Sequence, residues 1–127
     1  MEFTVSTMIK APAVKIYNAW LSSKGHSGMT GSPAKVSDKV GGAFEAWDGY
    51  ARGKNLILEP GKRIVQSWRT SEFSKEEADS QIEVKFEKAG EGTKVTIHHT
   101  NLPTHGMEYQ DGWVENYFQP MKKYFED

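Results

Sequence analysis

The chain has 127 residues, no cysteine, and sixteen basic against seventeen acidic side chains, for a net charge of −1. That length fits one domain, residues 1–127, with a core of its own, and the missing cysteines exclude disulfides and thiolate metal sites. The balanced charge advertises neither nucleic acid nor an anionic membrane as partner.

Residues 1–10 alternate and carry Glu2, whereas a signal peptide needs a basic start and a continuous apolar run. No stretch approaches the ~20 apolar residues of a membrane helix. The expectation is a cytoplasmic protein with no membrane insertion.

Phe3, Val5, Thr7 and Ile9 share one face of an extended segment, so residues 2–10 read as a first strand. Ala11-Pro12 stops it, and Pro12 suits the first position of a helix. Ala13, Ile16, Tyr17, Trp20 and Leu21 then follow helical spacing over about 12–22. Gly25, Gly28, Gly31 and Pro33 make the next segment irregular, with room for one further helical turn.

From Lys35 to Asn101 the pattern is strand after strand. Val40-Gly41-Gly42 opens a run holding Phe44 and Trp47, and Asp48-Gly49 predicts a two-residue hairpin turn with positive φ. Tyr50 to Glu59 follows, then a Pro60-Gly61 turn. Arg63 to Thr70 places Ile64, Gln66 and Trp68 on one face and Val65, Ser67 and Arg69 on the other. The charged residues 71–79 read as a mobile hairpin loop. Ile82, Val84 and Phe86 then oppose Gln81, Glu83, Lys85 and Glu87; Val95, Ile97 and His99 oppose Lys94, Thr96, His98 and Thr100. One sheet face is wet and the other covered.

The cover is helical. Trp113, Tyr117 and Met121 recur at i, i+4 and i+8, and Val114, Phe118 and Phe125 widen the stripe. Helix is expected over about 112–125 and left open for 105–111, with Asp111 or Thr104 as N-cap. Pro120 removes the bond to the Asn116 carbonyl and predicts a kink. The fold class is therefore α+β: a curved antiparallel sheet of six to seven strands around a long C-terminal helix, with short helical structure after strand 1.

The segments Gly41-Gly42-Ala43-Phe44, Gly53-Lys54-Asn55-Leu56, Arg63 to Arg69 and Gly112 to Phe118 resemble the C-terminal-type domain of the activators of heat-shock protein 90 ATPase. The resemblance includes their stand-alone bacterial relatives and runs from about Thr4 to Phe125. It implies the START-like helix-grip fold shared with lipid-transfer domains and polyketide cyclases. The eukaryotic activator has a further N-terminal domain that supplies much of the chaperone contact. Met1 lies immediately before the first strand, so no such domain is expected here, which weakens the co-chaperone expectation. Fold alone does not fix function.

Among residues that carry chemistry, His98 and His99 are adjacent on a strand and point to opposite faces, so they cannot chelate one metal. His99 faces inward, as a hydrogen-bonded core histidine or a ligand-contacting, proton-transferring one. His26 and His105 lie in loop-like segments and are expected in solvent. There is no His-Glu-x-x-His, acidic calcium loop or Gly-x-Ser-x-Gly, and residues 25–31 lack the lysine of a phosphate loop.

The aromatic content weighs most. Trp20, Phe44, Trp47, Trp68, Phe86, Trp113 and Tyr117 all fall at inward or partly inward positions, as core or as the lining of a pocket between sheet and helix. Gln66, His99 and Tyr117 are its polar tips. These nine residues are the candidate cavity set for a small hydrophobic molecule.

The leading expectation is a non-enzymatic carrier of such a ligand, with no cofactor. The second is a chaperone regulator, with the chaperone as partner and loop 71–79, holding Phe73, as docking tip. The third is a cyclase-like or hydratase-like enzyme, which lacks a placed carboxylate beside His99; Glu45 could face either way. Carriage calls for a cavity of roughly 300 Å³ or more, opening near residues 25–31.

Overall fold

Alternation of apolar and polar side chains sets the sheet. The computed structural model describes residues 1–125, and its strands are β1 (Phe3–Ile9), β2 (Lys35–Val36), β3 (Ala43–Ala46), β4 (Ala51–Glu59), β5 (Arg63–Thr70), β6 (Ser80–Ala89) and β7 (Gly92–Thr100). They form one seven-stranded antiparallel sheet in the order β1-β7-β6-β5-β4-β3-β2. The register pairs Ile82 with His99 and with Gln66, and Val84 with Ile97 and Ile64. All these side chains reach the covered face and are essentially inaccessible. This is the helix-grip arrangement expected from the sequence.

Helix α1 (Ala13–Trp20) follows Pro12, which sits one residue before the helix in extended conformation. Residues 25–31 depart from expectation. They belong to a second helix, α2 (Ser23–Thr30), capped by the Ser22 hydroxyl, which accepts the Gly25 N–H at 2.8 Å, and ended by Gly31 at φ 77°. Its glycines serve close packing. A Cβ on Gly25 would stand 2.7 Å from the Ala19 backbone, and one on Gly28 would stand 2.8 Å from the Tyr124 ring.

The β3–β4 connection also differs from a two-residue hairpin. Trp47, Asp48 and Gly49 all have positive φ, at 57°, 56° and 92°. Trp47 thus leaves the strand and sits half-buried at its end. Loop 71–79 is tied down. Phe73 is buried against Trp68 and Tyr109, and the Arg69 guanidinium, 5.4 Å from the Phe73 ring centre, donates to Asp79 at 2.7 Å.

The C-terminal helix starts earlier than expected. A 3-10 turn (Thr104–Glu108) leads into an α turn (Tyr109–Trp113), a π turn (Val114–Phe118) and a last α stretch (Gln119–Tyr124). Neither Thr104 nor Asp111 caps it; Pro103, in extended conformation, precedes it. Where a kink was expected at Pro120, the helix widens instead. The Gln119 N–H donates to the Val114 carbonyl five residues back, just ahead of the proline that has no N–H to give.

Candidate functional site

Between sheet and helix the side chains interlock through rings and a chain of hydrogen bonds. Trp20, at the end of α1, donates its indole N–H to Gln66 Oε1 (3.3 Å); Gln66 Nε2 donates to Asn55 Oδ1 (2.8 Å). Asn55 Nδ2 in turn donates to the carbonyls of Ser37 and Lys39. His26 Nδ1 donates to the Trp20 carbonyl (2.9 Å), and its Nε2 accepts the Tyr117 hydroxyl (2.8 Å). A carbonyl only accepts, so the Nδ1–H tautomer is the one these partners select. His26 is buried, which corrects its expected place in solvent. His105 is half-exposed and bonded to Glu77 at 3.0 Å.

His99 is held from both sides. The Trp113 indole N–H donates to Nδ1 (3.0 Å), so the imidazole proton resides on Nε2, bonded to Ser80 Oγ at 2.8 Å. The Ser80 hydroxyl in turn donates a hydrogen bond to the Trp68 carbonyl (2.6 Å). Burial, reinforced by the neighbouring His98, pushes the His99 pKa down to about 3; burial also lowers that of His26. Both imidazoles are thus neutral at physiological pH with both ring nitrogens occupied. Glu45 is exposed. Among the described residues no buried side-chain nitrogen or oxygen lacks a partner, and no group of histidines and carboxylates is arranged to hold a metal ion.

Trp20 stacks on Tyr117 (centroids 5.2 Å apart), Tyr117 touches Trp113 (4.7 Å) and Trp47 (5.8 Å), and Trp68 contacts Trp113 (5.6 Å), His99 (4.7 Å) and Tyr109 (5.0 Å). This packing leaves a cavity of about 60 Å³. Four of the residues expected from the sequence line it: Trp47, Trp68, Trp113 and Tyr117, joined by Tyr50, Tyr109, Gly112 and Asn116. Trp20, Phe44, Gln66, Phe86 and His99 lie elsewhere in the core; Phe86, for example, meets Tyr17 edge-on at 5.9 Å. The partly exposed members Trp47, Tyr50, Tyr109, Gly112 and Asn116 mark the mouth, and none of residues 25–31 lines it.

The outer sheet face carries a second feature. The ladder between β4 and β5 shifts between Asn55 and Ile57. Asn55 stays wholly buried while Leu56 and Ile57, consecutive in sequence, are 44% and 41% exposed. They border an open groove with Val65, flanked by Arg63, Glu83 and His98.

The sequence pattern of the family described as Activator of Hsp90 ATPase homolog 1-like protein matches residues 10–126. The chain belongs to this family. An activator of 90 kDa heat shock protein ATPase homolog from Dictyostelium discoideum is 33% identical over 99 residues, 76% of this chain and 26% of that protein. An uncharacterized protein of Schizosaccharomyces pombe is 28% identical over 116 residues, 91% of this chain and 34% of that protein. The chain therefore spans a quarter to a third of the length of these two relatives. In three dimensions an HSP90 activator from Plasmodium falciparum superposes with a TM-score of 0.88 at 23% identity, over 97% of this chain and 94% of that one. The Aha1 dimer from Colwellia psychrerythraea gives 0.83 at 19%, over 99% and 96%. At these identities the likeness is one of fold. No described helix is long and apolar enough to cross a membrane.

Proposed function

We propose that this chain is a non-catalytic binding domain that acts on an Hsp90-type chaperone through its surface. The observation that carries the reading is the filled interior. Rings and bonded polar groups occupy the space between sheet and helix, and the cavity left is about 60 Å³, far below the roughly 300 Å³ of an ordinary ligand pocket. Carriage of a sizeable hydrophobic molecule is correspondingly disfavoured. Acid–base chemistry is disfavoured too, because His26 and His99 are neutral and have both nitrogens engaged. Family membership and the Dictyostelium relative's description support the choice of a chaperone as partner.

The bulge at Leu56–Ile57 is the contact this reading favours, since it turns two adjacent apolar side chains to solvent beside an Arg63–Glu83 ion pair of 2.7 Å. The test is ATPase stimulation of a purified Hsp90-family chaperone. Wild-type protein should stimulate, and Leu56→Glu with Ile57→Glu should abolish the effect without unfolding the chain. Filling the small cavity by Gly112→Leu should leave stimulation intact. Absence of both stimulation and association in the wild type, or loss of stimulation on filling the cavity, would sink the proposal.

A further inference from the structure

The 60 Å³ cavity has an unusual wall. Six of its eight lining residues are aromatic: Trp47, Tyr50, Trp68, Tyr109, Trp113 and Tyr117. The rings are not a parallel stack. Trp47 meets Tyr117 at 81° and Trp68 meets Tyr109 at 80°, while Trp113 is tilted by 44° and 43° to Trp68 and Tyr117. Ring planes that cross in this way surround a small space on several sides.

The polar ends of the tyrosines are engaged with protein groups. The Tyr117 hydroxyl donates to His26, that of Tyr109 is bonded to Thr70, and that of Tyr50 donates to the Glu72 carboxylate. Donation to an acceptor, above all to a carboxylate, leaves the ring richer in electrons. No basic side chain lines the cavity. The nearby guanidinium of Arg69 is bonded to Asp79 and to the carbonyls of Ser74 and Glu77, with Phe73 beside it. The formal charge attached to the wall is therefore negative.

We propose that this cavity is an aromatic cage for a methylated ammonium group. Aromatic walls attract a desolvated cation through their electron-rich faces. An anion would be repelled by the same walls, and an unmethylated ammonium would bring three donors to a lining with too few acceptors for them. A quaternary nitrogen has no donor to satisfy. Its size fits as well: a volume several times the ~10–15 Å³ needed for one water admits a group of about four or five heavy atoms. Gly112 completes the fit. A Cβ placed there would find only Asn116 Nδ2, at 3.8 Å, so the helix leaves the mouth open at this position. The site is independent of the Leu56–Ile57 surface and does not rest on the chaperone reading.

The test uses the full chain, labelled with nitrogen-15, titrated with choline chloride and with its neutral isostere 3,3-dimethyl-1-butanol at constant ionic strength. The indole signals of Trp47, Trp68 and Trp113 should move, and choline should bind at least about tenfold tighter than the isostere. Glu72→Gln, at an exposed position, should weaken choline severalfold and leave the isostere unchanged. Gly112→Leu should cost choline at least about tenfold; leucine exceeds glycine in helix propensity, so loss of binding would not come from a weaker helix. A parallel titration with N-acetyl-trimethyllysine methylamide separates a free small cation from a methylated side chain of a partner, the tighter of the two naming the source. Equal binding of choline and isostere, unmoved indole signals, or unchanged binding in Gly112→Leu would overturn the cage.

Discussion

Lowering the pH from 7 to 5 should destabilise the fold through His99. In the folded chain the Trp113 indole N–H already occupies Nδ1, and burial holds the pKa near 3. In the unfolded chain the imidazole takes up its proton near 6.5. The unfolded state therefore gains protons first, so the contribution of His99 is complete above 6.5 and is lost as the pH falls towards 3. Each pH unit in that window costs about 1.4 kcal/mol, which makes about 2 kcal/mol between pH 7 and 5. Against a total stability of about 5–15 kcal/mol this is a large fraction. Urea unfolding followed by tryptophan fluorescence, at pH 7, 6 and 5, reads it. His26 acts in the same direction, so the comparison that isolates His99 is wild type against His99→Gln. The variant should start about 1–3 kcal/mol lower at pH 7, because the Trp113 donor is left unpaired, and should then lose less on acidification. Parallel loss in the two proteins would refute the reasoning.

Ser80→Ala removes the hydroxyl that links His99 Nε2 to the Trp68 carbonyl and should cost about 1–3 kcal/mol; an unchanged urea midpoint would count against it. Phe73→Ala should cost about 3–5 kcal/mol and expose residues 71–79 to limited proteolysis, whereas an unaltered cleavage pattern would mean that the ring does not anchor the loop. Gly25→Ala should lower the melting temperature despite the better helix former, since the new methyl meets the Ala19 backbone at 2.7 Å. A rise would show that α1 and α2 are free to separate.

How much of this was legible in the sequence depends on whether the decisive contact is local. The two-residue period in Ile82–Phe86 and Val95–His99 reports directly which face is covered, because a strand's side chains alternate. The inward placement of His99 followed from the same rule, with Ser80 and Trp113 as partners that no local pattern could name. Helix α2 was not legible. A glycine that lets two helices touch looks the same in sequence as one that bends a loop, and His26 went to solvent with the glycines around it. Trp47 was read as part of the run that holds Phe44, whereas three successive positive-φ residues carry it to the cavity mouth. Tyr50 and Asn116 lie more than sixty residues apart in sequence and meet only in the folded chain. One signal was there to be used: extending the four-residue spacing backwards from Trp113 reaches Tyr109.

That spacing also bears on the π turn. In an α-helix residues four apart advance by 400°, so Trp113, Tyr117, Met121 and Phe125 would drift by about 40° at each step. All four are nevertheless buried. The wider i→i+5 turn at Val114–Phe118 advances less per residue and brings the stripe back over the sheet. Pro120 permits this turn, but packing has its own reason to keep it. A regular α turn would swing Tyr117 off His26 and leave a buried nitrogen without its donor, at about 1–3 kcal/mol. Pro120→Ala restores the missing N–H and separates the two causes. If packing holds the turn, the His26 nitrogen-15 shifts should still report a neutral Nδ1–H ring accepting at Nε2. If the proline alone holds it, the helix should tighten to regular α and the His26 signals should move, which would refute the assignment of the π turn to the four-residue stripe.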